Sequence, residues 1–388
     1  MKSHGFDLEP ELLRALDEDG TEVTAVAAGI TLEVRLRIYR EMTRVRLLDA
    51  AMTALQRQGR VSFYGSATGQ EAVAVGAAFG AEPEDWVFPA LRESAIMLVR
   101  GFPLSRYLAQ VFGTAKDVLK GRQMPSHMSS RAVAQVSWSS CIGTQLCHAV
   151  GAAWAARLRG EARAVVAFLG DGATSSSDFH AALNFAAVFR AGVVFVCQNN
   201  QWAISTPASR QSAVSVLARK AVAYAIPSLR VDGNDALAVA AALGMACQRA
   251  RDGAGPTFIE CVTYRMGAHS TSDDATRYRS EEEVRAWRER DPLLRLHRHL
   301  EAAKHWDPSL QRQLEHEIDA EIRAAIDAVE RQAPPSRESL FDDVYQSLPW
   351  HLREQRDGLL AGPMAPRLAS GLHGSQGAPA PEEAPRSL

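Results

Sequence analysis

The chain has 388 residues, 46% of them hydrophobic, and a formal net charge of −2. That length supports one large domain or two small ones, and the near balance of charge gives no bulk attraction for nucleic acid or an acidic membrane surface. No apolar run reaches membrane-spanning length, and the five cysteines form no C-x-x-C pair. They read as reduced, buried small hydrophobes.

Residues 1–30 are acidic and weakly periodic, and are expected to form an extended arm. The start, MKSHGFDLEPELL, lacks the apolar centre of a signal peptide and is too acidic for a transit peptide, so the expected location is the cytoplasm. From Thr31 to Gln58 apolar residues recur at helical spacing, and Gly59 ends the pattern. A turn-rich segment containing Phe63 and Tyr64 leads into a second helix, Gln70 to Phe79. Residues 85–89 read as a short strand, followed by helices at Ser94–Arg100 and Leu104–Phe112 and a loop from Lys116 to Gln135. The segment Thr144–Leu158 is rich in Ala and Gly. Such short side chains let another backbone approach, so it is expected to be a buried helix at a subunit contact.

The centre of the chain carries the chemistry. An apolar run, 164–169, ends in Gly170-Asp171-Gly172, and a second, 193–197, is followed by Asn199-Asn200. A bare GDG is commonly only a turn. Two parallel strands joined by a crossover helix, however, would bring Asp171 and Asn200 to one carboxyl edge of a sheet. Magnesium takes hard oxygen ligands and shares them with phosphates, which suits a carboxylate beside an amide oxygen. The glycines allow a diphosphate close to the backbone, and a helix starting near Ser177 points its positive end to the same edge.

Beyond this unit the pattern predicts a helix at Val214–Tyr224, a strand at 229–231, a helix at Asp235–Arg251 and a strand at Thr257–Thr263. The fold class is therefore α/β: a doubly wound, mostly parallel sheet flanked by helices. Helices are expected at Glu281–Arg290, Pro292–Leu300 and Ser309–Arg331. The domain reading is an arm (1–30), an α/β domain (31–280), a helical C-terminal extension (281–360) and a Pro- and Gly-rich tail (361–388) expected to be disordered.

GDG…NN, together with Gly121-Arg122-Gln123-Met124-Pro125, Asn199–Thr206, Leu229–Asp235 and His269-Ser270-Thr271-Ser272-Asp273-Asp274, resembles the alpha subunits of the decarboxylating component of branched-chain 2-oxo acid dehydrogenases. The likeness runs from about Thr31 to Pro349 with the motifs in family order. It implies thiamine diphosphate and Mg2+ as cofactors, with metal ligands Asp171, Asn200 and the backbone oxygen of Trp202. It implies further cofactor contacts from Arg92, Ser140, Ile142, Gly170, Gly172, Ala173 and His269. His269 is implied as the acid/base group and His127 as a second catalytic histidine near the substrate carboxylate. Ser139, Cys141, Thr144 and Gln145 match a potassium loop of some relatives, and Phe63 and Tyr64 match lining of the acyl pocket. The chain departs from the pattern at Leu91, where Tyr is frequent, and at Gln198, where Arg is frequent.

The implied reaction is oxidative decarboxylation of a branched 2-oxo acid, with acyl transfer to the lipoyl group of an acyltransferase component. The implied assembly is an alpha2-beta2 heterotetramer, the beta subunit supplying a carboxylate that this chain lacks; no nucleic acid or membrane partner is expected. GRQMP and HSTSDD point to the branched-chain type. Pyruvate or acetoin dehydrogenase alpha subunits and a non-catalytic paralogue stand as the alternatives.

Overall fold

The computed structural model describes residues 11–362. In chain order the elements are β1 (Leu12–Leu13), α1 (Leu32–Arg57), α2 (Glu71–Gly80), β2 (Trp86–Phe88), α3 (Ser94–Val99), α4 (Leu104–Phe112), α5 (Thr144–Leu158), β3 (Val165–Gly170), α6 (Ser177–Val188) and β4 (Val193–Asn199). They continue with β5 (Trp202–Ala203), β6 (Thr206–Pro207), α7 (Ala208–Gln211), α8 (Arg219–Val222), β7 (Ser228–Asp232), α9 (Ala236–Arg251), β8 (Thr257–Val262), α10 (Glu281–Arg288), α11 (Pro292–Ala302), α12 (Pro308–Glu330) and α13 (Trp350–Ala361).

The main sheet runs β1-β7-β8-β4-β3-β2, and every pairing in it is parallel. Its central strands are near-continuous Val, Phe, Ile and Leu because helices cover both faces. One face packs on α1, α2, α3, α4 and α9; the other packs on α5 and α6. Where α2 meets α9, a Cβ on Gly80 would lie 2.5 Å from the Ala240 carbonyl oxygen, so only glycine allows that approach. The doubly wound parallel sheet is thus as the alternation of elements implied.

Four local expectations change. Residues 11–30 do not form a free arm: β1 pairs with β7, and Leu16 is buried. The cause is Asp235, the N-cap of α9, whose other carboxylate oxygen accepts the Ala15 and Leu16 N–H groups at 2.7 Å each. The expected helix at 214–224 shrinks to α8. The Ala218 N–H is diverted to the buried Glu260 side chain (2.9 Å), so no α-helical bond runs from it to residue 214 and only turns precede α8. α5 buries only one face: Leu146, Ala149, Val150 and Ala153 pack inward, while His148, Gly151, Trp154 and Leu158 are exposed. Of the cysteines, Cys197, Cys247 and Cys261 are buried, but Cys147 is half-buried and Cys141 exposed.

The C-terminal helices are not a separate body. Leu314, Ile318, Ile322 and Val329 of α12 belong to the same core as α1 and α4. All but the first two residues of the expected disordered tail lie outside the described residues.

Candidate active site

Four strand ends supply one edge. Arg92 follows β2, Asp171 follows β3, Asn200 follows β4 and His269 follows β8. The register sets Gly170 opposite Gln198, so Asp171 and Asn199-Asn200 leave neighbouring strands side by side. Asp171 opens a short 3-10 turn, Asp171–Ser175, and is 3% exposed. Burial pushes its carboxyl up to about 6, opposed by hydrogen bonds from backbone N–H groups, including that of Asn200, and from the Gln211 amide at 3.2 Å.

Asn200 is fixed by both ends of its amide. Its nitrogen donates to Gln70 (2.8 Å), and its oxygen accepts the Trp202 N–H at 3.1 Å, which leaves a second lone pair. The Trp202 carbonyl is not free, because the buried Arg265 guanidinium donates to it at 3.2 Å. Any cation at that oxygen must share it. The two glycines beside Asp171 differ. Around Gly170 a Cβ would meet nothing within 4 Å, whereas at Gly172 it would lie 2.6 Å from the Ala203 Cβ. The open space lies at Gly170. Gly172 is needed for packing against the β5–β6 hairpin, and Ala173 is buried beneath it.

Arg92 and His269 meet. The Arg92 guanidinium donates to the Ser66 carbonyl and to the His269 carbonyl (2.7 Å), and lies 3.3 Å from His269 Nδ1. Arg92 is buried, and among the described residues no carboxylate pairs with its guanidinium. Burial, then the nearby Arg265, pulls its pKa down to about 10. Burial followed by the charges of Arg92 and Arg265 pulls His269 down to about 4, so its imidazole is neutral at pH 7. The loop is pinned: His269 N–H donates to Asp273 (2.7 Å), Tyr278 donates to the same carboxylate (2.5 Å), and Arg265 donates to the Tyr278 hydroxyl (2.9 Å).

His127 and Ser140 form a second pair. His127 Nδ1 lies 3.0 Å from the Pro125 carbonyl, which requires the proton on Nδ1, so Nε2 accepts the Ser140 hydroxyl at 2.5 Å. No hydrogen bond joins this pair to Arg92–His269 among the described residues. Nearby, the Cys141 carbonyl accepts the Ser139 and Thr144 hydroxyls at 3.1 and 3.0 Å. Gln145 donates from its amide nitrogen to the Phe168 carbonyl, and its buried oxygen has no partner among the described residues. Ile142 is exposed. Tyr64 is enclosed, its hydroxyl donating to Asp49 (2.9 Å), while Phe63 is half-buried.

Sequence reasoning missed Arg265, Glu93, Gln70 and Gln211. None of them carries a sequence signal, because only the fold brings them to the edge.

Comparison with known proteins identifies the family. The dehydrogenase E1 component family matches residues 39–338. The chain is 42% identical over 344 residues to 2-oxoisovalerate dehydrogenase subunit alpha 2, mitochondrial, of Arabidopsis thaliana, covering 88% of this chain and 73% of that protein. It is 41% identical over 360 residues to the subunit alpha of Pseudomonas aeruginosa (91% and 88%) and 40% identical over 350 residues to the mitochondrial subunit alpha of Homo sapiens (90% and 79%). With motif order, parallel sheet and matched span in agreement, this chain belongs to the dehydrogenase E1 component family.

Proposed function

We propose that this chain is the alpha subunit of a 2-oxoisovalerate dehydrogenase, holding thiamine diphosphate and Mg2+ at the carboxyl edge of the sheet. The observation that carries the reading is Arg92, a buried guanidinium with no carboxylate partner among the described residues, lying against His269 beside the Asp171 and Asn200 strand ends. An uncompensated buried cation is costly, and an anionic ligand offsets it. Asp171, Asn200 Oδ1 and the Trp202 carbonyl are the hard oxygen donors for magnesium, with phosphate and water completing the shell. Bound there, the cofactor supplies the carbanion and the electron sink for decarboxylating a 2-oxo acid.

The residues of this chain bind, orient and move protons. Arg92 grips the diphosphate by paired hydrogen bonds. His269, neutral and desolvated, accepts and returns a proton during acyl transfer to a lipoyl group. His127, with its proton fixed on Nδ1, presents the Ser140 hydroxyl toward the substrate side. Ser140 and Ile142 offer backbone groups to the aminopyrimidine, and Phe63 and Tyr64 border the acyl group. The oxygens of Ser139, Cys141 and Thr144, with the unpartnered Gln145 oxygen, suit a potassium ion that ties this loop down.

A beta subunit completes the site in an alpha2-beta2 assembly that passes its acyl group to a lipoyl-bearing acyltransferase. The exposed Trp154 and Phe185 both stack on the half-buried Phe189 (4.4 and 5.8 Å), and Leu158 and Val188 are exposed on the same two helices, which supports a subunit contact on α5 and α6. The experiment is calorimetric titration of the assembled protein with thiamine diphosphate and Mg2+. Wild type binds, and Asp171→Ala weakens binding at least about a hundredfold, as expected for a lost charged ligand. Equal binding by both would refute the assignment.

A further inference from the structure

Arg92 and Glu93 are adjacent in sequence and both buried; burial pushes the Glu93 carboxyl up to about 7, and when it ionises the two are opposite in charge, yet their side chains do not form an ion pair. The Glu93 carboxylate is held elsewhere. One oxygen accepts the Ala90 N–H (2.8 Å) and the Arg92 N–H (3.1 Å); the other accepts the Gln198 amide nitrogen. Arg92 turns its guanidinium the other way, to the carbonyls of Ser66 and His269.

Gln198 is well placed to hold that carboxylate. It lies in β4, in register with Gly170 on one side and Cys261 on the other, so its backbone is fixed by two neighbouring strands. Gln198 is 4% exposed, and its own carbonyl oxygen is buried with no partner among the described residues, so its amide is committed to Glu93 there. Two opposite charges in a low-dielectric cleft attract strongly, and only occupied hydrogen-bonding sites keep a carboxylate from swinging to a nearby guanidinium.

We propose that Gln198 is a positioning residue that restrains the Glu93 carboxylate, so that the Arg92 guanidinium stays unpaired and available to the diphosphate of an incoming ligand. The inference deepens the reading of the cleft given above and rests on it. It also gives Gln198 a role in place of a cation at the same position: the residue contributes by keeping another charge free.

The experiment uses the chain assembled with its beta subunit and reads thiamine diphosphate affinity in Mg2+ by calorimetry, with thermal melting of the ligand-free protein alongside. Gln198→Met keeps the volume and removes the amide; its affinity falls about tenfold, the size of one competing ion pair. Adding Glu93→Gln to Gln198→Met removes the competing carboxylate and returns affinity to within about threefold of wild type, a coupling that a double-mutant cycle isolates. Were Gln198 only a packing residue, the second substitution would leave the loss in place or deepen it. Glu93→Gln alone retains wild-type affinity, and where Gln198→Met fails to fold, Gln198→Leu takes its place in the same cycle. Unchanged affinity in Gln198→Met, no recovery in the double variant, or a tenfold loss in Glu93→Gln would overturn the inference while the wild type still binds. Absence of binding by the wild type would instead overturn the reading of the cleft itself.

Discussion

His269 shows how a single side chain is tuned by its surroundings. Burial and two arginines favour the neutral imidazole, so the folded pKa of about 4 lies below the ordinary value of 6.5. A depressed folded pKa means that the unfolded chain binds more protons between those two values. The His269 contribution to stability is therefore present above pH 6.5 and lost as pH falls toward 4. Thermal melting of the ligand-free protein across that window tests this: wild type loses stability on acidification more steeply than His269→Asn. Identical slopes would show that the histidine is not held neutral by the fold. At this scale the sequence was informative where residue type and motif coincide. Asp171 and Asn200 were legible because carboxylate and amide each follow an apolar run. Arg265 was not, because nothing in Tyr264-Arg265-Met266 says that its guanidinium turns inward to the Trp202 and Ile204 carbonyls.

At the scale of elements, the cleft exists because β2, β3, β4 and β8 all end at one edge of a parallel sheet. Strands and the longest helix were legible from pattern; α4 and α5 begin and end at the residues expected from the sequence. Exceptions arise where a buried acid captures backbone N–H groups. Glu260 cuts short the helix before α8, and Asp235 draws the N-terminal segment onto the sheet. Asp235 serves four N–H groups at once, two at the start of α9 and two in residues 15 and 16. Replacing it with alanine removes a helix cap and orphans buried donors, so Asp235→Ala lowers stability by about 2–4 kcal/mol. Chemical denaturation measures this, together with faster proteolysis ahead of α1. A loss under about 0.5 kcal/mol, the level of ordinary surface substitutions, would contradict the capping account.

At the scale of the molecule, the helical extension shares the core of the α/β domain, which the sequence did not reveal because amphipathic spacing in α12 says which face is buried and not against what. The same limit applied to α5, whose small residues suggested enclosure. Gly151 and Trp154 instead face outward, leaving an apolar surface that the proposed assembly covers. In the proposed function the site on this chain supplies donors for a metal and a diphosphate and a histidine for proton transfer, while the proposed beta subunit supplies the carboxylate that activates the aminopyrimidine. The most direct measurement is carbon dioxide release from 2-oxoisovalerate, with thiamine diphosphate and Mg2+, by the chain alone and by the chain co-purified with its beta subunit. The account predicts turnover only by the pair, and preference for 2-oxoisovalerate over pyruvate. Turnover by the single chain, or a well-assembled pair that binds cofactor yet releases no carbon dioxide, would contradict it.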